Sequence, residues 1–183
     1  MASVPSLFMI TGTPGAGKST VATALMQRFP FGIHVPVDDI RDWVVSGIAY
    51  PGRDRSEETT RQMNLARQGA AHLARLYAEA GFAVAIDDTL GRAEALDVYL
   101  KALQGCLLLK IMLRPQLEVA LARNRERTNK NHDKNRLAQA IPRIYQEMEK
   151  LHTGARGWRI IDNSHLSVAE TVDTILNLVG FSG

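Results

Sequence analysis

Apolar residues along the chain follow two alternating patterns. Five short, mainly apolar runs, at 7–10, 33–37, 82–86, 107–113 and 158–161, read as strands of a buried sheet. Between them, apolar positions recur at spacings of three and four, as on amphipathic helices. Helices are expected at about 17–28, 38–46, 56–80, 93–102, 115–127 and 136–151, with a last one after Ser167. Segments 47–55 and 128–135 lack either pattern and read as loops.

Local signals sharpen these assignments. Ser56-Glu57-Glu58 opens the longest helix and Gly81 stops it. Met63, Ala66, Ala70, Leu73, Tyr77 and Ala80 mark its expected buried face. Pro115 suits a first helical turn, whereas Pro142 works against a continuous helix over 136–151. Ser167 with Glu170 three residues on forms a capping box.

Strands alternating with helices predict an α/β domain, a parallel sheet with helices on both faces, filling the single domain that 183 residues allow. Ligands of such sheets bind beyond the carboxyl ends of the strands. Three polar clusters fall there: 11–19, 38–41 and 87–92.

The first cluster, Gly12-Thr13-Pro14-Gly15-Ala16-Gly17-Lys18-Ser19, matches G-x-x-x-x-G-K-[ST] between an expected strand and an expected helix. Glycines let backbone N–H groups curl around phosphate oxygens, and the following helix aims its positive end at the anion. Lys18 can reach the β- and γ-phosphates, and Ser19 can bind Mg²⁺ through its hydroxyl. Residues 12–19 and the adjoining Thr20 are therefore candidate ATP contacts.

In the second cluster, Asp38 or Asp39 can take the proton of an acceptor hydroxyl as it attacks the γ-phosphate. Arg41 shares a helix face with Asp38, where it would hold an anionic group of the acceptor or fix the carboxylate. The third cluster has the hydrophobic-strand-then-Asp form. Asp87 is the candidate partner of Ser19 for Mg²⁺, through water, and Asp88 and Arg92 would face the acceptor.

The formal net charge of +3 is too small to argue for nucleic acid. It conceals an asymmetry: residues 114–159 hold eleven basic and five acidic residues. Arg123 and Arg127 are four apart and share a helix face beside a polar loop. Such a pair suits the charge that grows during phosphoryl transfer, and a lid at about 123–136 would exclude water. No Phe, Trp or Tyr lies between Arg123 and Ile144, so base stacking has no platform there. His132 is read as the only histidine of five near this chemistry, without the spacing of a metal site. Trp43, Tyr50, Tyr145 and Trp158 read as packing or pocket walls. Residues 160–164, with Asn163, end the fifth strand where an adenine would lie.

Cys106, the single cysteine, reads as a buried strand thiol. The first residues lack the basic and apolar regions of a signal peptide, and no apolar run approaches membrane-span length. A cytoplasmic protein is expected, with monomer and dimer both open.

Together, Gly12 to Ser19, the D-x-x-R of Asp38 and Arg41, and the R-N-x-x-R of Arg123, Asn124 and Arg127 resemble the small P-loop kinases of the adenylate-kinase-like group. Within it, the chain looks most like the branch of polynucleotide 5′-kinase domains, chloramphenicol phosphotransferase and zeta-type toxins. The resemblance implies a three-layer P-loop NTPase fold with strand order 2-3-1-4-5. It also implies Asp38 as the acceptor-activating residue, Arg123 and Arg127 in the lid, and adenine near 162–165. Where nucleoside monophosphate kinases carry D-G-x-P-R, this chain has Asp87-Asp88-Thr89-Leu90-Gly91-Arg92.

The leading expectation is an ATP- and Mg²⁺-dependent kinase for a hydroxyl of a sugar, nucleoside or antibiotic-like compound. Lys18, Asp38, Arg123 and Arg127 would be catalytic. One alternative is a polynucleotide 5′-hydroxyl kinase, in which Arg41, Arg53 and Arg55 contact nucleic-acid phosphates. The other is a nucleotide-binding regulatory ATPase with no acceptor.

Overall fold

The structure, a computed structural model, describes residues 7–50, 56–91, 93–126, 134–151 and 157–180. In chain order the elements are β1 (Leu7–Thr11), α1 (Lys18–Met26), β2 (Gly32–Pro36), α2 (Val37–Asp42), α3 (Glu57–Glu79) and β3 (Ala83–Asp87). There follow α4 (Ala93–Ala102), β4 (Leu108–Leu113), α5 (Leu117–Glu126), α6 (Lys134–Leu151), β5 (Trp158–Ile161) and α7 (Val168–Leu178). All pairings are parallel and the strand order is β2-β3-β1-β4-β5, as the family resemblance implied.

Side chains alternate across a strand, so each strand feeds two cores. Leu7 and Met9 of β1 pack toward α3, α4 and Met148 of α6, whereas Phe8 and Ile10 pack toward α1 and α7. β1 and β3 are buried at every position, which is why they read as unbroken apolar runs. The capping box of α7 is present: Glu170 N–H donates to Ser167 Oγ, and Ser167 N–H to Glu170 Oε2.

Several expectations are corrected. The covered face of α3 consists of Thr59, Gln62, Ala66, Arg67, Ala70, Ala71 and Ala74, while Ala80 is exposed and Met63, Leu73 and Tyr77 lie half-buried at its flanks. A stripe of alanines lets the helix axis approach the sheet closely, and larger residues wedge in at the sides. α2 starts directly on β2 and ends at Asp42 rather than near 46. α6 runs through Pro142. Cys106 sits half-buried in the turn before β4, and Trp43 is exposed. Among the described residues no helix is long and apolar enough to cross a membrane.

Candidate active site

The carboxyl ends of β1, β2 and β3 lie side by side in the sheet, so the three polar clusters meet. After β1 the chain turns through Gly12–Gly17 into α1. Gly15 has φ 85° and passes so close beneath α5 that a Cβ there would collide with the Ala120 carbonyl. Gly17, at φ 90°, is the N-cap of α1 and has no side chain to occupy the first-turn N–H groups, which suits an anion. Lys18 Nζ donates to the Thr13 carbonyl across the loop at 3.3 Å. Behind the loop a cavity of about 10 Å³ lies among Thr13, Arg114, Tyr145 and Glu149, large enough for one water.

At the end of β3, Ser19 Oγ donates to Asp87 Oδ2 at 2.5 Å. His34 Nε2, from β2, lies 3.4 Å from the same oxygen. Burial alone would push the Asp87 carboxyl up, but His34, Lys18 and Ser19 together hold it below the ordinary carboxylate range. An ionised Asp87 that accepts the Ser19 O–H hydrogen bond leaves the hydroxyl lone pairs for a cation. That donor set fits Mg²⁺, which keeps most of its waters and needs few protein oxygens. Among the described residues no cluster of three His, Cys, Asp or Glu forms a denser metal site.

Asp38 and Asp39 lie in the first turn of α2, where carboxylates complement the helix dipole. Asp38 is about half exposed, with Arg41 Nη1 3.9 Å away. Arg41 itself is buried between Asp38, Asp42 and the Tyr50 ring. Its guanidinium makes no hydrogen bond to either carboxylate, at 3.9 and 3.8 Å, and its Nε is a buried donor without a partner among the described residues. Gln62 of α3 anchors the segment that follows: its Oε1 accepts from Ala49 N–H at 2.8 Å and its Nε2 donates to the Gly47 carbonyl at 2.8 Å. Nε2 also donates to Glu58 Oε1 at 2.6 Å. Arg61 and Gln62 hold the exposed Glu58 carboxyl down at about 2.

Asp88 does not face outward as expected. It is buried, its Oδ2 accepting from Arg67 Nε at 2.7 Å and from Tyr99 Oη at 3.0 Å. A lone carboxylate at that depth would be costly, so its charge is met inside the fold.

Arg123 is tied to the β5 end of the sheet. Its Nη2 donates to the carbonyls of Asn163 at 3.0 Å and Ser164 at 3.4 Å. Asn163 is buried and its Nδ2 donates to the Ala16 carbonyl at 3.0 Å, so it touches the phosphate loop itself. Ser164 Oγ donates to Asp162 and accepts from Gln116 N–H, closing the corner. The Ser164 hydroxyl and backbone N–H, both donating to Asp162, hold its carboxyl below the usual range. Arg92, Arg127 and His132 lie outside the described residues, as do Arg53 and Arg55.

Sequence reasoning missed His34, Gln62 and Arg67. His34 overturns the reading that His132 alone stood near this chemistry. Its signal was position: a polar residue two before the end of the strand that precedes Asp38. Gln62 and Arg67 carried a weaker one, as polar residues on the covered side of an amphipathic helix.

A family model described as an AAA domain matches residues 7–170. An adenylyl-sulfate kinase of Myxococcus xanthus (strain DK1622) is 35% identical over 69 residues, 36% of this chain and 37% of that protein. The match therefore spans little more than a third of the relative's length. The Deinococcus radiodurans tunicamycin resistance protein has the same fold, with a TM-score of 0.67 at 17% identity over 98% of both chains. So does shikimate kinase from Bacteroides thetaiotaomicron, with a TM-score of 0.65 at 16% identity over 95% of this chain and 98% of that one.

Proposed function

This chain belongs to the AAA domain family, and on that footing we propose that it is an ATP-dependent kinase that transfers the γ-phosphate to a hydroxyl of a small molecule. The observation that carries this reading is the placement of Asp38. Pro36 of β2 pairs with Asp87 of β3, and Asp38 follows two residues later at the same end of the sheet. A candidate base thus stands one strand away from the Ser19–Asp87 pair. A nucleotide switch without an acceptor has no use for it. The branch that carries D-x-x-R after the second strand is the one we assign on the same ground.

Each residue then has a task. Glycines 12, 15 and 17 and the α1 N-terminus cradle phosphates, and Lys18 meets their charge. Ser19 and Asp87 would hold Mg²⁺, which when bound neutralises charge on the β- and γ-phosphates. Asp38 takes the proton of the attacking hydroxyl, steadied by Arg41. Arg127 remains assigned to the lid, over the transferring group. Arg123 and Asn163 bound the nucleotide on the β5 side.

The acceptor we infer is neutral or cationic: a sugar, nucleoside or antibiotic-like compound. Arg67 is committed to Asp88, Arg41 is buried within 4 Å of Asp38 and Asp42, and Asp38 and Asp39 add negative charge. The names of two relatives, an adenylyl-sulfate kinase and a shikimate kinase, favour small acceptors. A polynucleotide acceptor fits less well, because Arg41, one of its three assigned phosphate contacts, is buried.

The test is transfer of radiolabel from γ-labelled ATP to pooled sugars, nucleosides, aminoglycosides and 5′-hydroxyl oligonucleotides. Label in one small-molecule pool is expected. Label confined to oligonucleotides, or hydrolysis indifferent to every acceptor, would overturn the proposal.

A further inference from the structure

His34 occupies a corner of the site that the proposed reaction does not yet use. In the β2–β3 register, His34 faces Ala85 and Pro36 faces Asp87. Asp87 is thus the diagonal neighbour of His34 on the same face of the sheet, within reach of a ring. Ala85 between them is too small to intervene. Above this pair lies α1, whose Ser19 and Thr23 are four residues apart and share a face. Two residues of the sheet and two of the helix form a closed square.

The contacts run around it. Ser19 Oγ donates to Asp87 Oδ2 at 2.5 Å, and His34 Nδ1 lies 3.1 Å from Thr23 Oγ1. His34 Nε2 is buried 3.4 Å from the same Asp87 oxygen, within ion-pair reach but not aligned as a full hydrogen bond, and it has no other partner among the described residues. An ionised carboxylate can only accept, so the ring nitrogen turned toward it is the one bearing hydrogen. In a neutral imidazole the other nitrogen is then an acceptor, which makes the Thr23 hydroxyl its donor. With the Thr23 hydroxyl as donor, the ring takes the tautomer that turns N–H toward Asp87. An apolar residue would fill the same space but would leave Asp87 gripped by Ser19 alone on this side.

We propose that His34 is a positioning residue for Asp87: its ring nitrogen stands 3.4 Å from the carboxylate oxygen that Ser19 also holds, and so limits rotation of the carboxylate that would serve Mg²⁺. The inference rests on the reading of Ser19 and Asp87 as the Mg²⁺-handling pair. His34 touches neither nucleotide nor ion. Outer-sphere partners of this kind orient the ligand, and losing one weakens metal affinity by about 10- to 100-fold.

The test is binding of a fluorescent ADP analogue to the full chain, with Mg²⁺ and with EDTA. In wild type, Mg²⁺ should tighten nucleotide binding. In His34→Ala that gain should require about tenfold more Mg²⁺, with affinity in EDTA unchanged. His34→Gln, whose amide N–H can still reach Asp87, should restore most of the Mg²⁺ response. Thr23→Val should shift it in the same direction by less. Equal weakening with and without Mg²⁺ would mark His34 as merely structural and overturn the proposal, as would an unshifted Mg²⁺ response. If wild type itself gains nothing from Mg²⁺, the Ser19–Asp87 assignment fails first. None of these readouts depends on finding an acceptor, so a failed transfer screen would leave them interpretable.

Discussion

Arg67 of α3 donates through Nε to Asp88 Oδ2 at 2.7 Å, and both side chains are almost wholly buried, at 4% and 3% exposure. Tyr99 of α4 closes the group with its hydroxyl on the same oxygen. Burial works against the guanidinium charge, yet Asp88 beside it raises the Arg67 pKa above its ordinary value. The pair locks α3 and α4 to the end of β3, the strand end that also carries Asp87. The next residues reach the phosphate loop: Thr89 Oγ1 donates to the Gly12 carbonyl at 3.4 Å, and Leu90 N–H to Thr11 Oγ1 at 3.0 Å.

Removing one partner of such a pair strands a buried charge. Arg67→Met should lower unfolding free energy by about 3–5 kcal/mol. Arg67→Met combined with Asp88→Leu should recover part of that loss, because an apolar pair needs no counter-charge although the buried Tyr99 hydroxyl loses its acceptor. Urea denaturation of the two variants checks both expectations. A double variant as unstable as the single would show that the carboxylate is needed for something beyond its partner.

Tyr99 gives a pH signature. Burial first, and the Asp88 charge second, raise its phenol well above 10. A native pKa above the unfolded one means stability that is complete below about pH 10 and is lost as pH rises toward the native value. One tyrosinate signal at 295 nm should therefore appear together with alkaline unfolding, and Tyr99→Phe should remove it. Through the lost hydrogen bond to Asp88, Tyr99→Phe should also cost about 1 kcal/mol at neutral pH.

What the sequence made legible was whatever a local pattern specifies. The parallel sheet follows from the strand runs. The phosphate loop follows from eight consecutive residues, and the α7 cap from Ser167 and Glu170. Pairing across the sheet leaves no local trace. His34 comes within 3.4 Å of Asp87 because of a register between strands separated by two helices and a loop, and Asp88 turns inward because Arg67, earlier in the chain, supplies its counter-charge. Arg41 was read as able to fix Asp38, but its burial depends on Tyr50 and on a segment pinned by Gln62. Polar residues on covered helix faces are the trace such networks leave, and on α3 they lie among more numerous apolar positions at the same helical spacing.

Asp38→Asn keeps the shape and the hydrogen-bonding reach of the side chain but removes its basicity. ATP affinity should be unchanged, and the rate of transfer should fall by about 10²- to 10⁴-fold, the usual contribution of a general base. Titrating labelled nucleotide alongside single-turnover transfer separates the two. Unchanged transfer at saturating acceptor would remove Asp38 from the role.

Gln62 holds Gly47 and Ala49 by their backbone groups, so it sets the path of the segment leading to Tyr50 over Arg41. Gln62→Ala should loosen that path while leaving the phosphate loop untouched. The KM for the acceptor should rise about tenfold, an amount corresponding to the loss of one or two net hydrogen bonds of about 1 kcal/mol each. ATP KM should stay constant. Steady-state kinetics with each substrate varied in turn tests the split.

Arg123 and Asn163 can be separated by a probe that lacks a base. Arg123 donates to carbonyls at the β5 end, on the side assigned to the nucleotide base, whereas Asn163 bonds the Ala16 carbonyl within the phosphate loop. Arg123→Ala should therefore weaken ATP binding and leave inorganic tripolyphosphate binding near its wild-type value. Asn163→Ala orphans a loop carbonyl, a loss of about 1–3 kcal/mol for a buried group. Because that loss falls on the loop itself, it should weaken ATP and tripolyphosphate alike. Isothermal titration of both ligands against both variants decides the matter. If Arg123→Ala instead spares ATP binding and lowers turnover by orders of magnitude, Arg123 belongs over the transferring phosphoryl.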